Sequence, residues 1–254
     1  MADEVLVEIS GRVAIITINR PHARNAVNAE VASGIAAALD ALDARDDLRA
    51  GVITGAGGTF CAGMDLKAFL SGDLPEIAGR GLAGITITPP RKPLIAAVEG
   101  WALAGGFELV LACDLVVAAD GSKFGVPEVK RGLVAAAGGA LLLTRRIPFA
   151  SAMELLLTGE PITAERAAAL GLVNRLVPDG TALERALELA EVIAANGPLA
   201  VAATKQIARD GADWTVTEGW QRQAELIRPV FESQDAREGA TAFAQKRAPV
   251  WRGL

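Results

Sequence analysis

Residues 100–114 read GWALAGGFELVLACD, and this stretch decides the fold. The apolar run before it, residues 94–98, predicts a buried strand. Gly105 and Gly106 permit a tight backbone path, and residues 107–113 are almost wholly apolar, which predicts a buried helix. A strand, a glycine turn and a helix start together leave free backbone N–H groups where negative charge is welcome. Glu108 is the exception in the apolar run. It falls in the first turn of the predicted helix, among Phe107, Leu109, Val110 and Leu111. A carboxylate there complements the helix dipole, and Glu108 taken alone carries no more than that.

Two further stretches change this reading. FGVPE, residues 124–128, sets Glu128 directly after Pro127, behind a predicted strand at 115–119 and the turn Asp120-Gly121. FCAGMDLK, residues 60–67, is another glycine turn that follows a strand. In this order and at this spacing, the three stretches resemble the crotonase (enoyl-CoA hydratase/isomerase) superfamily. The resemblance runs over nearly the whole chain.

Composition narrows the chemistry independently. The chain has 254 residues, 51% of them hydrophobic, enough for a sizeable core in one or two domains. Net charge is −5, from 25 basic and 30 acidic residues, with no basic run to suggest nucleic-acid binding. No apolar stretch reaches membrane-spanning length without a charge. The start, MADEVLVEIS, is acidic and lacks the basic residues of a targeting segment, so the sequence predicts a soluble cytoplasmic protein. Cys61 and Cys113 are expected to be buried free thiols. His22 is the sole histidine and tyrosine is absent, which removes a Ser-His-Asp mechanism unless His22 serves it and leaves paired-histidine zinc sites without ligands. Chemistry must rest on carboxylates and backbone, with no metal.

In chain order, residues 5–9 and 13–18 predict a hairpin across Ser10-Gly11-Arg12. Asn28 is a helix cap ahead of Val31, Ile35, Leu39 and Leu42 on one face. GAGG at 55–58 lacks the third glycine of a dinucleotide-binding turn, since position 60 is Phe60. Residues 71–88 read as a mobile segment beside a site or an irregular surface helix and loop. Helices are predicted at 150–157 and 163–170, the latter stopped by Gly171, and a last strand at 173–177. Thr181 and Glu184 predict a capping box for the next helix. After Asn196 the chain turns wholly helical, with helices expected at 199–209, 217–231 and 234–247 and Ser233 capping the last. The boundary divides residues 1–196, a mixed α/β core, from residues 197–254, a helical tail.

The resemblance implies a spiral of strand-strand-helix units followed by helices that build a homotrimer, commonly paired into a hexamer. It implies an acyl-CoA thioester as substrate, no cofactor beyond the coenzyme A of that substrate, and no nucleic-acid or membrane partner. NRPHARNAV, residues 19–27, resembles the segment around bound coenzyme A, with Arg24 facing the nucleotide. Residues 60–67 resemble the segment that supplies one oxyanion-hole N–H, here Ala62, with Gly63, Met64, Asp65 and Lys67 beside the substrate. Gly105 supplies the second N–H. Residues 233–249 resemble the C-terminal family pattern, whose Phe243 and Lys246 approach the coenzyme A of a neighbouring subunit. Glu108 and Glu128 match the two hydratase glutamates.

The chemistry follows without the family. When water adds at C3 of an enoyl thioester, the thioester oxygen becomes enolate-like, and two fixed N–H donors stabilise that charge more than the ground-state carbonyl. Loss of one such donor costs roughly 2.7–4 kcal/mol. Two carboxyls sharing a water can take one proton and deliver another. Glu108 is expected to hold and deprotonate water and Glu128 to protonate C2. Asp65 and Asp114 are expected to shape the backbone rather than to react. Leu133-Val134-Ala135-Ala136-Ala137 replaces the family's proline- and glycine-containing run, which reshapes the acyl pocket. The expected activity is that of an enoyl-CoA hydratase. The alternatives are a crotonase-fold isomerase, a hydratase of a specialised acyl-CoA, and a non-catalytic acyl-CoA-binding protein.

Overall fold

The structure, a computed structural model, describes residues 3–254. Strands β1 (Val5–Ser10) and β2 (Val13–Ile18) form the expected antiparallel hairpin. Helix α1 (Ala29–Ala44) is capped by Asn28, whose side chain accepts the Val31 N–H at 2.9 Å, and it buries Val31, Ile35, Leu39 and Leu42. Strand β3 (Ala50–Gly55) returns parallel to β2. Helix α2 (Leu66–Leu70) and the antiparallel ribbon of β4 (Glu76–Ile77) and β5 (Gly81–Leu82) occupy the next stretch. The ribbon stands where the sequence predicts only irregular structure, and its glycines, Gly79 and Gly81, take the positive φ its turn needs.

Two similar units follow: β6 (Leu94–Val98), β7 (Trp101–Leu103) and α3 (Gly105–Ala112), then β8 (Leu115–Ala119) and β9 (Lys123–Gly125). A 3-10 turn (Pro127–Arg131), α4 (Gly139–Arg146), α5 (Phe149–Thr158), β10 (Ile162–Thr163), α6 (Ala164–Ala169), β11 (Arg175–Val177) and α7 (Ala182–Ala194) complete this region. The first strand of each unit joins a six-stranded sheet of order β1-β2-β3-β6-β8-β11, parallel except for the hairpin. The second joins a smaller sheet of order β10-β9-β7, extended by a bridge between Cys61 and Ala102. Laying successive strands on two sheets and returning through a helix coils the chain into the crotonase-like spiral.

The large sheet is covered on both faces, as parallel sheets are. Along β6, Leu94, Ala96 and Val98 enter one core cluster, while Ile95 and Ala97 enter a second that is closed by α7. Helix α7 meets the sheet through Ala182, Ala186 and Ala190, four residues apart and fully buried. Small side chains on that stripe let helix and sheet approach closely. The capping box expected at its start does not form. Thr181 donates its hydroxyl to the Pro178 carbonyl instead, and Glu99, just after β6, accepts the Ala182 N–H at 3.0 Å. A longer-range carboxylate has displaced the local one.

The tail holds α8 (Pro198–Asp210), α9 (Val216–Glu232) and α10 (Gln234–Ala244). Helix α8 is clamped to the core by Lys205 and Arg209, which lie 2.6 and 3.1 Å from the Asp114 carboxylate. Asp114 also accepts the Leu94 N–H at 2.8 Å, so its role is structural. A capping box does form at α9, between Thr215 and Glu218, where the sequence reading did not look for one. Ser233 caps α10 as expected, but that helix stops at Ala244 rather than at Arg247, ahead of a positive φ at Lys246. Among the described residues no single helix is long and apolar enough to cross a membrane. Cys61 and Cys113 are free and buried, and burial pushes both thiols up to about 12.

Candidate active site

The site is built where the turn before α3 meets the loop after β3. Ala104 sits at φ 51°, ψ −129°, a conformation that L-residues seldom adopt, and this reverses the chain so that Gly105 opens the helix. The first N–H groups of a helix have no acceptor inside it. A Cβ on Gly106 would lie 2.2 Å from the Cys61 carbonyl oxygen, so only glycine lets the two loops touch. Gly63, at φ 106°, is packed from the other side: a Cβ there would meet the Ala104 Cβ at 2.7 Å and the Gly105 nitrogen at 3.3 Å.

This packing corrects one expected donor. The Ala62 N–H is already spent on the Arg24 carbonyl at 3.0 Å and is not available to a substrate. The backbone alternates, so the next outward-facing amide is that of Met64. Val27 donates to the Gly63 carbonyl and accepts from Asp65, which leaves the Met64 N–H without an acceptor among the described residues. A Cβ on Gly105 would lie 3.4 Å from the Met64 nitrogen, which places the two free amides side by side. The sequence reading placed Met64 beside the substrate but assigned the N–H to Ala62. The strand-like bridge between Val27 and Met64 is what sets the parity.

Glu108 lies on α3 and is only 3% exposed. Its Oε1 accepts the Gly139 N–H at 2.8 Å, at the start of α4. Burial raises its pKa to about 7, opposed by the amides of Gly139 and Ala137 and reinforced by the charge of Glu128. The GG of residues 138–139 was the signal for this partner: a glycine turn into a helix presents amides to an anion. Glu128 stands on the 3-10 turn that Pro127 opens and Gly132, at φ 68°, closes. Its pKa is also raised by burial, with its own backbone hydrogen bond and Arg131 opposing. Its Oε2 is buried and finds no hydrogen-bond partner among the described residues.

A cavity of about 370 Å³ unites these groups. Ala62, Met64, Gly105, Glu108 and Glu128 all line it, and Leu66, Phe69, Leu82, Leu103 and Val134 supply much of its apolar wall. Other expected residues stand differently. Asp65 accepts the Lys67 and Ala68 amides at 3.1 and 3.3 Å and an Arg20 N–H at 3.1 Å, so it shapes the loop as expected. Arg24 and Lys67 are exposed on the two segments that Ala62 ties together, and neither lines the cavity. Phe243, 87% exposed, and Lys246 lie on the tail and do not reach this chain's own cavity wall.

Two raised carboxyls facing two unpaired amides across an apolar cavity define a site for proton transfer next to a carbonyl that gains negative charge. The spiral and this site place the protein among the acyl-thioester enzymes of the crotonase fold. The enoyl-CoA hydratase/isomerase family model matches residues 8–253, and the chain belongs to that family. It is 45% identical to enoyl-CoA hydratase EchA19 of Mycobacterium tuberculosis, over 97% of this chain and 95% of that one. It is 42% identical to a carnitinyl-CoA dehydratase of Salmonella typhi over the full length of both. A crystal structure of an enoyl-CoA hydratase from M. tuberculosis H37Rv superposes with a TM-score of 0.97 at 59% identity, covering 99% of this chain and 100% of that one.

Proposed function

We propose that the protein is a hydro-lyase that reversibly adds water across the 2,3-double bond of a 2-enoyl-CoA thioester to give the 3-hydroxyacyl-CoA. The observation that carries this reading is the convergence of Glu108, Glu128 and the free amides of Met64 and Gly105 on one cavity. The thioester oxygen accepts both amides. Small residues at the turn let it come close, and the rigid loops hold the donors where charge develops.

The carboxyls are tuned in the way proton exchange requires. Burial raises both, Glu108 to about 7, so the pair can exchange a proton near neutral pH. Hydration then proceeds as the water oxygen bonds C3, Glu108 takes the water proton, and Glu128 delivers its own to C2. Dehydration reverses each transfer. No cofactor enters beyond the coenzyme A of the substrate. Arg24 and Lys67 meet its phosphates, and a homotrimer or a hexamer of paired trimers brings Phe243 and Lys246 to a neighbouring subunit's coenzyme A. Residues 1–196 carry the site and residues 197–254 the assembly.

Purified protein should remove the enoyl-thioester absorbance of crotonyl-CoA, and Glu108→Gln and Glu128→Gln should each lower kcat by about 10²-fold or more with smaller effects on KM. Coenzyme A ester binding without turnover would leave only a binding role. A second reading, a specialised hydratase, is favoured by the carnitinyl-CoA dehydratase relatives and by the Leu133–Ala137 sequence. A panel of enoyl-CoA esters differing in length, branching and charge separates the two.

A further inference from the structure

Arg20 lies just beyond β2 and outside the cavity, with a side chain only 11% exposed. A guanidinium so far out of water must be paired. Its Nη1 donates to the Ala26 carbonyl at 2.6 Å and to Asp65 Oδ2 at 3.1 Å, and its Nε lies 2.9 Å from the Glu4 carboxylate. Asn25, fully buried, holds Arg20 in turn: its Oδ1 accepts the Arg20 N–H at 2.9 Å, and its Nδ2 donates to the Ala56 and Thr59 carbonyls at 2.8 and 2.6 Å. These contacts bracket the Met64 amide. Val27 donates to the Gly63 carbonyl and accepts the Asp65 N–H, each at 2.8 Å, one on either side of Met64. Ala26 directly precedes Val27 and Asp65 directly follows Met64, so one nitrogen of Arg20 ties together the two strands of that bridge. Asp65 divides its oxygens accordingly: Oδ1 caps α2 through the Lys67 and Ala68 amides, and Oδ2 takes the Arg20 bond. Among the described residues no other cation pairs with Glu4 or Asp65.

We propose that Arg20 is a positioning residue for the oxyanion site: its guanidinium holds the Val27–Met64 bridge so that the Met64 N–H stays aimed at the thioester oxygen. A donor of this kind acts by being fixed before charge develops, and a misplacement of about 1 Å costs on the order of 10²-fold in rate. Without the guanidinium, the bridge rests on the two Val27 hydrogen bonds, and the carboxylates of Glu4 and Asp65 are left with no cation between them. The loop that carries Met64 then relaxes away from Ala26. The catalytic consequence rests on the hydratase reading, whereas the polarisation of a bound thioester carbonyl does not.

The test reads the carbonyl itself, by isotope-edited infrared spectroscopy of bound butyryl-CoA labelled with carbon-13 at its thioester carbon. In the unaltered protein the carbonyl stretch should fall on binding, because two N–H donors polarise the bond. In Arg20→Met most of that lowering should be lost, and kcat for crotonyl-CoA should drop by about tenfold to 10²-fold with a smaller change in KM. Asp65→Ser keeps a cap for α2 but gives up the bond to Arg20, so it should repeat the spectrum of Arg20→Met and stands in for that variant if it misfolds. Arg20→Lys, which can offer two bonds from one nitrogen, should restore part of the lowering and part of the turnover. A residue that merely braced the fold would lower Tm and leave the bound carbonyl unchanged. Full lowering in both Arg20→Met and Asp65→Ser, or no lowering in the unaltered protein, would overturn the proposal. A lowering that Arg20→Met removes, in a protein that does not hydrate crotonyl-CoA, would place the fault in the hydratase reading and leave the positioning role standing.

Discussion

Helix α3 buries all eight of its residues, whereas helix α9, with seventeen, buries none. The two differ in sequence before they differ in environment. Around α3 the residues are apolar on every side except at Glu108, and such a helix has no solvent face to offer. Helix α9 is amphipathic. Val216, Trp220, Ala224 and Phe231, spaced four or seven residues apart, form one stripe, and Val216, Trp220 and Phe231 are each at least 70% exposed. The main neighbours of α9 are α8 and α10, so the stripe faces outward from the tail. The core is complete within one chain, and the tail presents apolar area that a second copy would cover.

The sharpest break of that contrast is Trp220→Glu combined with Phe231→Glu. Buried aromatic anchors at interfaces typically contribute 2 kcal/mol or more each, so this pair of changes should convert the proposed trimer to monomer by sedimentation. Far-UV circular dichroism should be unchanged, because neither side chain is part of the core. Glu225→Lys, two and a half turns beyond Val216 and so on the other face, should leave the mass as it was. An unaltered assembly in the double variant would show that the stripe is simply solvated.

A second contrast separates what α3 does for stability from what it does for chemistry. Glu108 has an ordinary carboxyl pKa of 4.5 in the unfolded chain and about 7 when folded. Below 4.5 both states hold the proton and burial exacts no ionic penalty. Between 4.5 and 7 the folded state binds more protons, so stability falls as pH rises, and above 7 the loss is complete at about 3 kcal/mol. Glu108→Gln should therefore be more stable than the unaltered protein at pH 8, and that advantage should vanish at pH 4, as read by urea unfolding. The same substitution that removes activity should strengthen the fold. An advantage independent of pH would mean that Glu108 is not the group responsible.

What the sequence made legible follows the same division. Alternating strands, the α1 face and the Asn28 and Ser233 caps are local matters of spacing, and they stand where they were expected. Glu108 and Glu128 were singled out only by three stretches resembling one family in order and spacing, since Glu108 alone reads as a partner of the helix dipole. The Met64 amide was not, since it depends on a bridge to Val27 that lies far along the chain. Nor was the cap of α7, because Glu99 reaches it from another element and outcompetes the local Thr181. The Glu76–Leu82 ribbon escaped for a further reason: its strands are two residues long, too short to show a period.

The smallest expected effect lies at Ala104, between the apolar strand and the buried helix. Its φ of 51° and ψ of −129° suit glycine, and an L-residue there is strained by about 1–3 kcal/mol. Ala104→Gly removes the strain, at the expense of the greater freedom glycine has in the unfolded chain, roughly 0.5–1 kcal/mol. The difference should favour the variant by about 1 kcal/mol, or a Tm higher by about 3 °C for a chain of this size. Turnover should stay within about threefold, because the Gly105 amide is aimed by the helix start and by the packing of Gly106 on Cys61, neither of which needs the methyl group. A lower Tm would show that the methyl contributes packing worth more than the strain. A Tm gain with a large loss of turnover would show that the strain itself aims the amide.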